Sequence, residues 1–177
     1  MAVSRSTLLI GIAALCFGAV GAALVTQHAY DMQPCPWCVL QRVIFVAIGL
    51  LALLGLAWRS MLGQRVILLL LLLLSASGIA AALWQHFVAA ASASCNLTLA
   101  DRIVSGLRLD ALLPDVFQAT ASCAEAAVKL AGVPYEFWSL GLFVLIDAAT
   151  TALEVTPASG CTPLPPMMPI VIDSASA

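Results

Sequence analysis

The stretch VILLLLLLLSASGIAAALWQHF, Val66 to Phe87, with unbroken leucines from Leu68 to Leu74, contains no charged side chain. It is long enough to cross a bilayer as a helix, which takes about 20 apolar residues. Three further runs flank it: Leu8 to Thr26 without a charge, Val43 to Trp58, and the shorter Phe137 to Leu153, which carries Asp147. A charge at mid-bilayer costs roughly 2.5–3.5 kcal/mol, so Asp147 is expected at an interface or against a partner helix. The whole chain has the same bias: 63% of its 177 residues are hydrophobic and 9% charged, where a soluble domain carries about 25%. So few charges cannot cover a water-facing surface, and the expected solvent is the lipid bilayer. The reading is an all-α membrane protein: one domain with a four-transmembrane-helix bundle, helices near 8–26, 43–58, 66–87 and 137–153, loops 27–38 and 88–136, and a tail 154–177.

Other classes are excluded on the same grounds. A net charge of −2 gives no basic footprint for nucleic acid. Two histidines do not make a His-rich metal site. Cys35 and Cys38 have half of a zinc knuckle pair, but Cys95 and Cys123 are too far apart to supply the other half, so no metal is expected. Arg5 and the small residues Ala22 and Ala23 bracket the first run as in a signal peptide. Its apolar part, however, exceeds the usual h-region of about 7–15 residues, which favours a retained span.

Positive charge orients the bundle. Arg5 precedes the first run, and Arg59 and Arg65 bracket the short connection between the second and third. Both positions are then cytoplasmic, as are both termini, and the two remaining loops face outward. In the longer one, Arg102, Arg108 and Lys129 are outnumbered by acidic residues. Its apolar set Ile103, Leu107, Leu109, Leu112, Leu113, Val116 and Phe117 suits a segment on the membrane surface or packing within the loop, and Pro114 keeps any helix there short. The proline-rich tail without Lys or Arg reads as disordered.

All four loop cysteines, Cys35, Cys38, Cys95 and Cys123, thus fall on one side, where an oxidising compartment permits disulfides. The sharpest segment is Pro34-Cys35-Pro36-Trp37-Cys38-Val39-Leu40-Gln41-Arg42. A C-x-x-C closes a small, readily exchanged ring, and a cysteine opening a helix gains from its free amides as a thiolate. Arg42 lies one turn beyond Cys38 on the same face. It can support that thiolate or donate to an oxygen on which charge develops; as a bare alternative it snorkels to the interface. Spacing does not separate a redox pair at Cys95 and Cys123 from a structural staple. Four cysteines allow three pairings, of which 35–38 with 95–123 is the simplest.

Taken together these residues resemble the bacterial inner-membrane DsbB family of disulfide-bond formation proteins. The resemblance extends over nearly the whole chain: four spans, Pro-Cys-x-x-Cys with Arg four residues on, the second loop's pair, Cys123-Ala124-Glu125, Leu130-Ala131-Gly132-Val133-Pro134, and Trp138 to Phe143 leading into the last span. It implies a thiol:quinone oxidoreductase whose catalytic residues are Cys35, Cys38, Cys95 and Cys123. A periplasmic DsbA-like thiol oxidase attacks the 95–123 disulfide and joins Cys95. Released Cys123 attacks Cys35, and Cys38 as thiolate engages membrane quinone, ubiquinone or menaquinone, beside Arg42. In the family, such a relay from soluble partner through membrane protein to quinone keeps the periplasm oxidising. His86 resembles a family position near the quinone; a capping or interfacial histidine is the plainer reading for it and for His28. Cys161 has no counterpart in the pattern, and Cys16 reads as a small apolar residue.

Two other readings compete. A vitamin K epoxide reductase-like enzyme also joins four helices to two cysteine pairs, but with the C-x-x-C after the loop pair. A tetraspanin-type four-span scaffold, its loop disulfides purely structural, needs no Arg one turn past a C-x-x-C and uses a Cys-Cys-Gly that is absent here.

Overall fold

Three of the four apolar runs begin at a side chain that receives a first-turn amide, which a helix needs because its first N–H groups have no partner of their own. Ser4 Oγ accepts from Thr7 N at 3.2 Å, Cys35 Sγ from Cys38 N at 3.3 Å, and Ser60 Oγ from Gly63 N at 3.1 Å. In the computed structural model, which describes residues 4–58, 60–90, 98–130 and 132–155, these caps start α1 (Arg5–Ala29), α2 (Pro36–Ala57) and α3 (Met61–Trp84). A single π-helical turn, Gln85–Ala89, extends α3. Cys95, Cys161, Arg59 and the tail from 156 onward lie outside the described residues.

Each helix starts before its apolar run, and all but α2 also end beyond it. The backbone keeps its internal bonds until a cap or turn releases it, whereas hydropathy marks only where lipid is. The correction is largest for α2, expected from Val43: with Cys35 as cap and Pro36 at the first position, Cys38, Gln41 and Arg42 are all helical. The first loop therefore shrinks from 27–38 to the residues between Ala29 and Pro36.

The second loop holds α4 (Leu99–Gly106), α5 (Leu109–Leu112) and α6 (Pro114–Phe117). Thr98 and Asp101 close a reciprocal capping box on α4. Val104 and Phe117 bury against Val39 of α2, so part of the loop's apolar set packs inward, while Leu107, Leu112 and Leu113 stay exposed. A two-residue antiparallel ladder, β1 (Lys129–Leu130) with β2 (Val133–Pro134), was not expected. Gly132 permits it at φ +82°, a left-handed conformation that costs glycine nothing. Then α7 (Tyr135–Val155) begins.

Helices α1, α2, α3 and α7 pack around a ring, each against the next and α7 against α1. By length and composition all four can cross a membrane, and Ile10, Leu50, Leu69, Leu73, Val144 and Leu145 present a large apolar outer surface. In lipid, helices associate through close packing and polar contacts and not through hydrophobic burial. Both appear between α3 and α7. Phe143 stacks on Phe45 with centroids 4.1 Å apart and lies over Gly78. Asp147, the charge expected at an interface or against a partner, takes a 2.7 Å hydrogen bond from Ser75 of α3. Cys16 is fully buried in the core, as its apolar reading requires.

A Cβ at residue 78 would stand 2.5 Å from two atoms of the Phe143 ring, and Phe45 blocks the ring's retreat. Gly78→Ala is therefore expected to destabilise the bundle by ~1–3 kcal/mol, seen as a lowered unfolding midpoint in detergent. An unchanged midpoint would mean that the α3–α7 contact yields.

Candidate active site

The first turn of α2 presents its amides to two sulfurs. Cys38 N–H points at Cys35 Sγ, and Trp37 N–H at Cys123. Cys123 is brought there by the second loop. Thr120 N and Ala121 N donate to Pro34 O at 3.0 and 3.3 Å, and Thr120 Oγ1 donates to Gln33 Oε1 at 2.6 Å. Both cysteine loops therefore meet at one end of the bundle.

Three sulfurs result in one cluster with Cys35, fully buried, at its centre. Its Sγ is 2.8 Å from Cys38 Sγ, and it shares a hydrogen bond with Cys123. The electrostatics separate Cys35 from Cys123. Cys35 is pushed above the ordinary thiol range, first by its bond to Cys123, next by its bond to Cys38, then by burial. Cys123 is pulled below it, chiefly because Cys35 donates to it. Cys35 is thus the proton keeper and Cys123 the readier thiolate, the form that attacks disulfides. Cys95 lies outside the described residues.

Beside Cys38 lies a cavity of ≈ 200 Å³, lined by Cys38, Gln41, Arg42, Gln85, Tyr135 and Glu136 on its polar side and by Phe45, Trp138 and Leu142 among its apolar walls. Gln85, first residue of the π-helical turn, donates to Cys38 Sγ at 3.2 Å and accepts from Gln41 Nε2 at 2.7 Å. The amide supports negative charge on Cys38 in addition to the contact with Cys35. Such π-turns recur at functional sites.

Arg42 is 6% exposed. Its guanidinium donates to Gln27 Oε1 at 2.7 Å, Val116 O at 3.0 Å and Ala23 O at 3.5 Å. No carboxylate is within ion-pair distance of it among the described residues, and it lines the cavity together with Cys38. A snorkelling arginine would be exposed, and this one is not. His86 does not line the cavity; its Nδ1 is 2.7 Å from Glu136 Oε1, and Glu136 does line it. His28 Nδ1 lies 2.9 Å from Leu24 O near the end of α1, the bland role expected.

A family model for disulfide bond formation protein DsbB matches residues 5–153. The chain belongs to the DsbB family. The chain is 35% identical over 142 residues to disulfide bond formation protein B of Pseudomonas syringae pv. tomato, covering 80% of this chain and 83% of that one. It is 33% identical over 155 residues to the protein of that name from Cupriavidus metallidurans, covering 86% and 94%. It is 36% identical over 147 residues to that of Ralstonia nicotianae, covering 81% and 89%. As a DsbB-family protein it is a multi-pass membrane oxidoreductase of disulfide-bond formation, with the family's reaction of dithiol oxidation and electron transfer to quinone.

Sequence reasoning singles out Cys38 and Arg42 for the cavity but misses Gln41, Gln85, Tyr135 and Glu136. The available signal is polarity: glutamines and a glutamate inside apolar helices must find partners or line a functional space.

Because the Cys35 S–H lowers Cys123, the effect can be removed. With Cys16, Cys38, Cys95 and Cys161 replaced by serine, thiolate absorbance should show two separate titrations, the lower one Cys123. Adding Cys35→Ala should move the Cys123 midpoint up toward an ordinary thiol. An unmoved midpoint would dissociate Cys123 from the cluster.

Proposed function

We propose that Cys95, Cys123, Cys35 and Cys38 pass electrons in that order from a periplasmic DsbA-like dithiol protein to membrane quinone at Arg42. The observation that carries this reading is the hydrogen-bonded contact of Cys123 with Cys35, whose sulfur is 2.8 Å from that of Cys38 on the wall of a cavity that Arg42 also lines. The partner's thiolate attacks the Cys95–Cys123 disulfide and bonds to Cys95, and Cys123 leaves as thiolate. Cys123 attacks Cys35, breaking the Cys35–Cys38 bond and freeing Cys38. The partner's second thiol then releases Cys95, which recloses on Cys123 and leaves Cys35 and Cys38 reduced. Each exchange breaks one S–S bond and forms another.

The cavity suits a single substituted ring: aromatic and aliphatic walls from Phe45, Trp138 and Leu142, and a cation without a carboxylate partner among the described residues at Arg42. When bound, quinone supplies the two-electron acceptor chemistry. The chain's residues bind and polarise it: Arg42 stabilises negative charge on an oxygen, and Gln85 holds the Cys38 sulfur in place. Ubiquinone and menaquinone present the same carbonyls to this site, and either satisfies it. The basic residues Arg5, Arg59 and Arg65 support cytoplasmic termini in the inner membrane, with both cysteine loops periplasmic. Cys161 then faces a reducing compartment and takes no part.

Single Cys→Ser variants at 35, 38, 95 and 123 should each abolish oxidation of a reduced DsbA-like partner with quinone, while those at 16 and 161 should not. Full activity in Cys95→Ser or Cys38→Ser would end the relay. Impermeant thiol reagents on reduced intact cells should reach at least one cysteine in each loop and miss Cys161; its labelling would mean that α7 does not span the membrane. Arg42→Met should slow quinone-dependent turnover by roughly 10²–10³-fold, as loss of one donor aimed at developing charge does. Unchanged turnover and quinone KM would make Arg42 a structural tie alone.

A further inference from the structure

Reduction of a quinone to a quinol takes two electrons and two protons. If the donor is Cys35 as thiol with Cys38 as thiolate, closing their disulfide releases the electron pair and only one proton. The second proton must come from another acid at the cavity. The titratable and charged groups that line it are Cys38 and Arg42 from α2 and Tyr135 and Glu136 from α7; α1 contributes Thr26, which does not titrate. Arg42 does not release its proton, and Tyr135 is a weak acid whose hydroxyl rests against Thr26 Oγ1 at 3.4 Å. Glu136 remains. It is a carboxyl 6% exposed, and its Oε1 is 2.7 Å from Nδ1 of His86, whose side chain is 33% exposed. Phe87 and Phe137 pack against the imidazole in edge-to-face geometry, with centroids 4.9 and 4.7 Å away. A buried acid facing a reaction cavity is thereby hydrogen-bonded to one imidazole, a third exposed, near the end of the third span.

We propose that Glu136 and His86 form a proton inlet: His86 takes a proton from outer water at Nε2 and gives one from Nδ1 to Glu136 Oε1, and Glu136 delivers one from its carboxyl to the reduced quinone's oxygen. The balance then closes. Cys35 thiol, Cys38 thiolate, quinone and one proton through Glu136 become the Cys35–Cys38 disulfide and quinol. Cys38 leaves Cys35 as a thiolate, so the proton missing from it is the one the partner's attacking thiol lost to solvent at the start of the relay, and the inlet returns it. Glu136 is a catalytic acid in this scheme, and His86 is the group that recharges it. This role for His86 differs from direct contact with quinone, because His86 does not line the cavity. The inference rests on the quinone reading of the cavity given above.

The test uses full-length protein in detergent, reduced beforehand, with a short-chain ubiquinone analogue as the probe. Glu136→Gln keeps the shape and the hydrogen bond but cannot carry the proton. Its affinity for the analogue, read by tryptophan fluorescence, should stay within about twofold, because a general acid acts on the chemical step and leaves ground-state binding alone. Its single-turnover rate of quinol formation should fall by roughly 10²–10⁴-fold, the usual contribution of a general acid, and should recover with added formate. If Glu136→Gln does not fold, His86→Gln carries the same test, since it leaves the acid in place but cuts it from outer water. A rate that is unchanged, that no added acid restores, or that falls only in step with affinity overturns the inlet. Wild-type protein that forms no quinol removes the quinone reading itself; wild type that forms quinol while Glu136→Gln keeps pace removes the inlet alone.

Discussion

A guanidinium enclosed at the end of a lipid-facing bundle, without a carboxylate beside it, is the constraint around which this protein is arranged. Arg42 cannot shed its proton, and an unsatisfied charge in such surroundings is costly. It is tolerated because three neutral oxygens converge on it: Ala23 O and Gln27 Oε1 from α1, and Val116 O from the second loop. Those acceptors come from segments distant in sequence, so satisfying one side chain ties α1, α2 and the loop together. Gln27 repeats the tie by donating to Asp115 O at 3.3 Å. The loop that Arg42 holds through Val116 carries Cys123 a few residues later.

The chemistry follows from that tie. With the loop docked on Pro34, Cys123 reaches the free amides of α2 and the sulfur of Cys35. A helix N-terminus favours negative charge, and here two sulfurs draw on the same turn. Which one keeps a proton is decided by hydrogen bonding within the cluster: Cys35, bonded on both sides and buried, holds it. Neutral amides at Gln85 and Gln41 complete the surroundings of Cys38 without adding charge, so the positive field of Arg42 remains directed into the cavity. Away from this end the bundle needs no such devices. Among the described residues its contacts there include Gly78 beneath the Phe143 ring and a polar bridge between Ser75 and Asp147.

Much of this is legible in the residues themselves. The number of spans, their antiparallel course and the gathering of both cysteine loops at one end follow from hydropathy and short connections, because lipid admits few alternatives to a closed helix. Hydropathy misplaces the helix ends, most of all at α2. Apolar runs report the hydrocarbon region, while caps such as Cys35 with Pro36 report the helix, and the two differ by up to two turns. That displacement puts Cys38, Gln41 and Arg42 inside the helix and not at its threshold. The short β1–β2 ladder is invisible to pattern because two residues per strand leave no period to read.

The sequence by itself determined the class of protein and the identity of the reactive groups: apolar length sets a membrane span, and a C-x-x-C followed by arginine at helical spacing sets a redox turn. Only the tertiary structure decided which sulfur meets which, and which polar side chains share a cavity. Cys123 with Cys35, Gln85 with Cys38, Val116 with Arg42 and His86 with Glu136 are pairs separated by 47 or more positions. Spacing along a helix fixes neighbours three and four residues apart. Nothing local fixes how a long loop folds back on a helix end, or how α7 turns its first residues toward α3. Those choices are made where buried polar groups must find partners, and the partners become known only once the helices have packed.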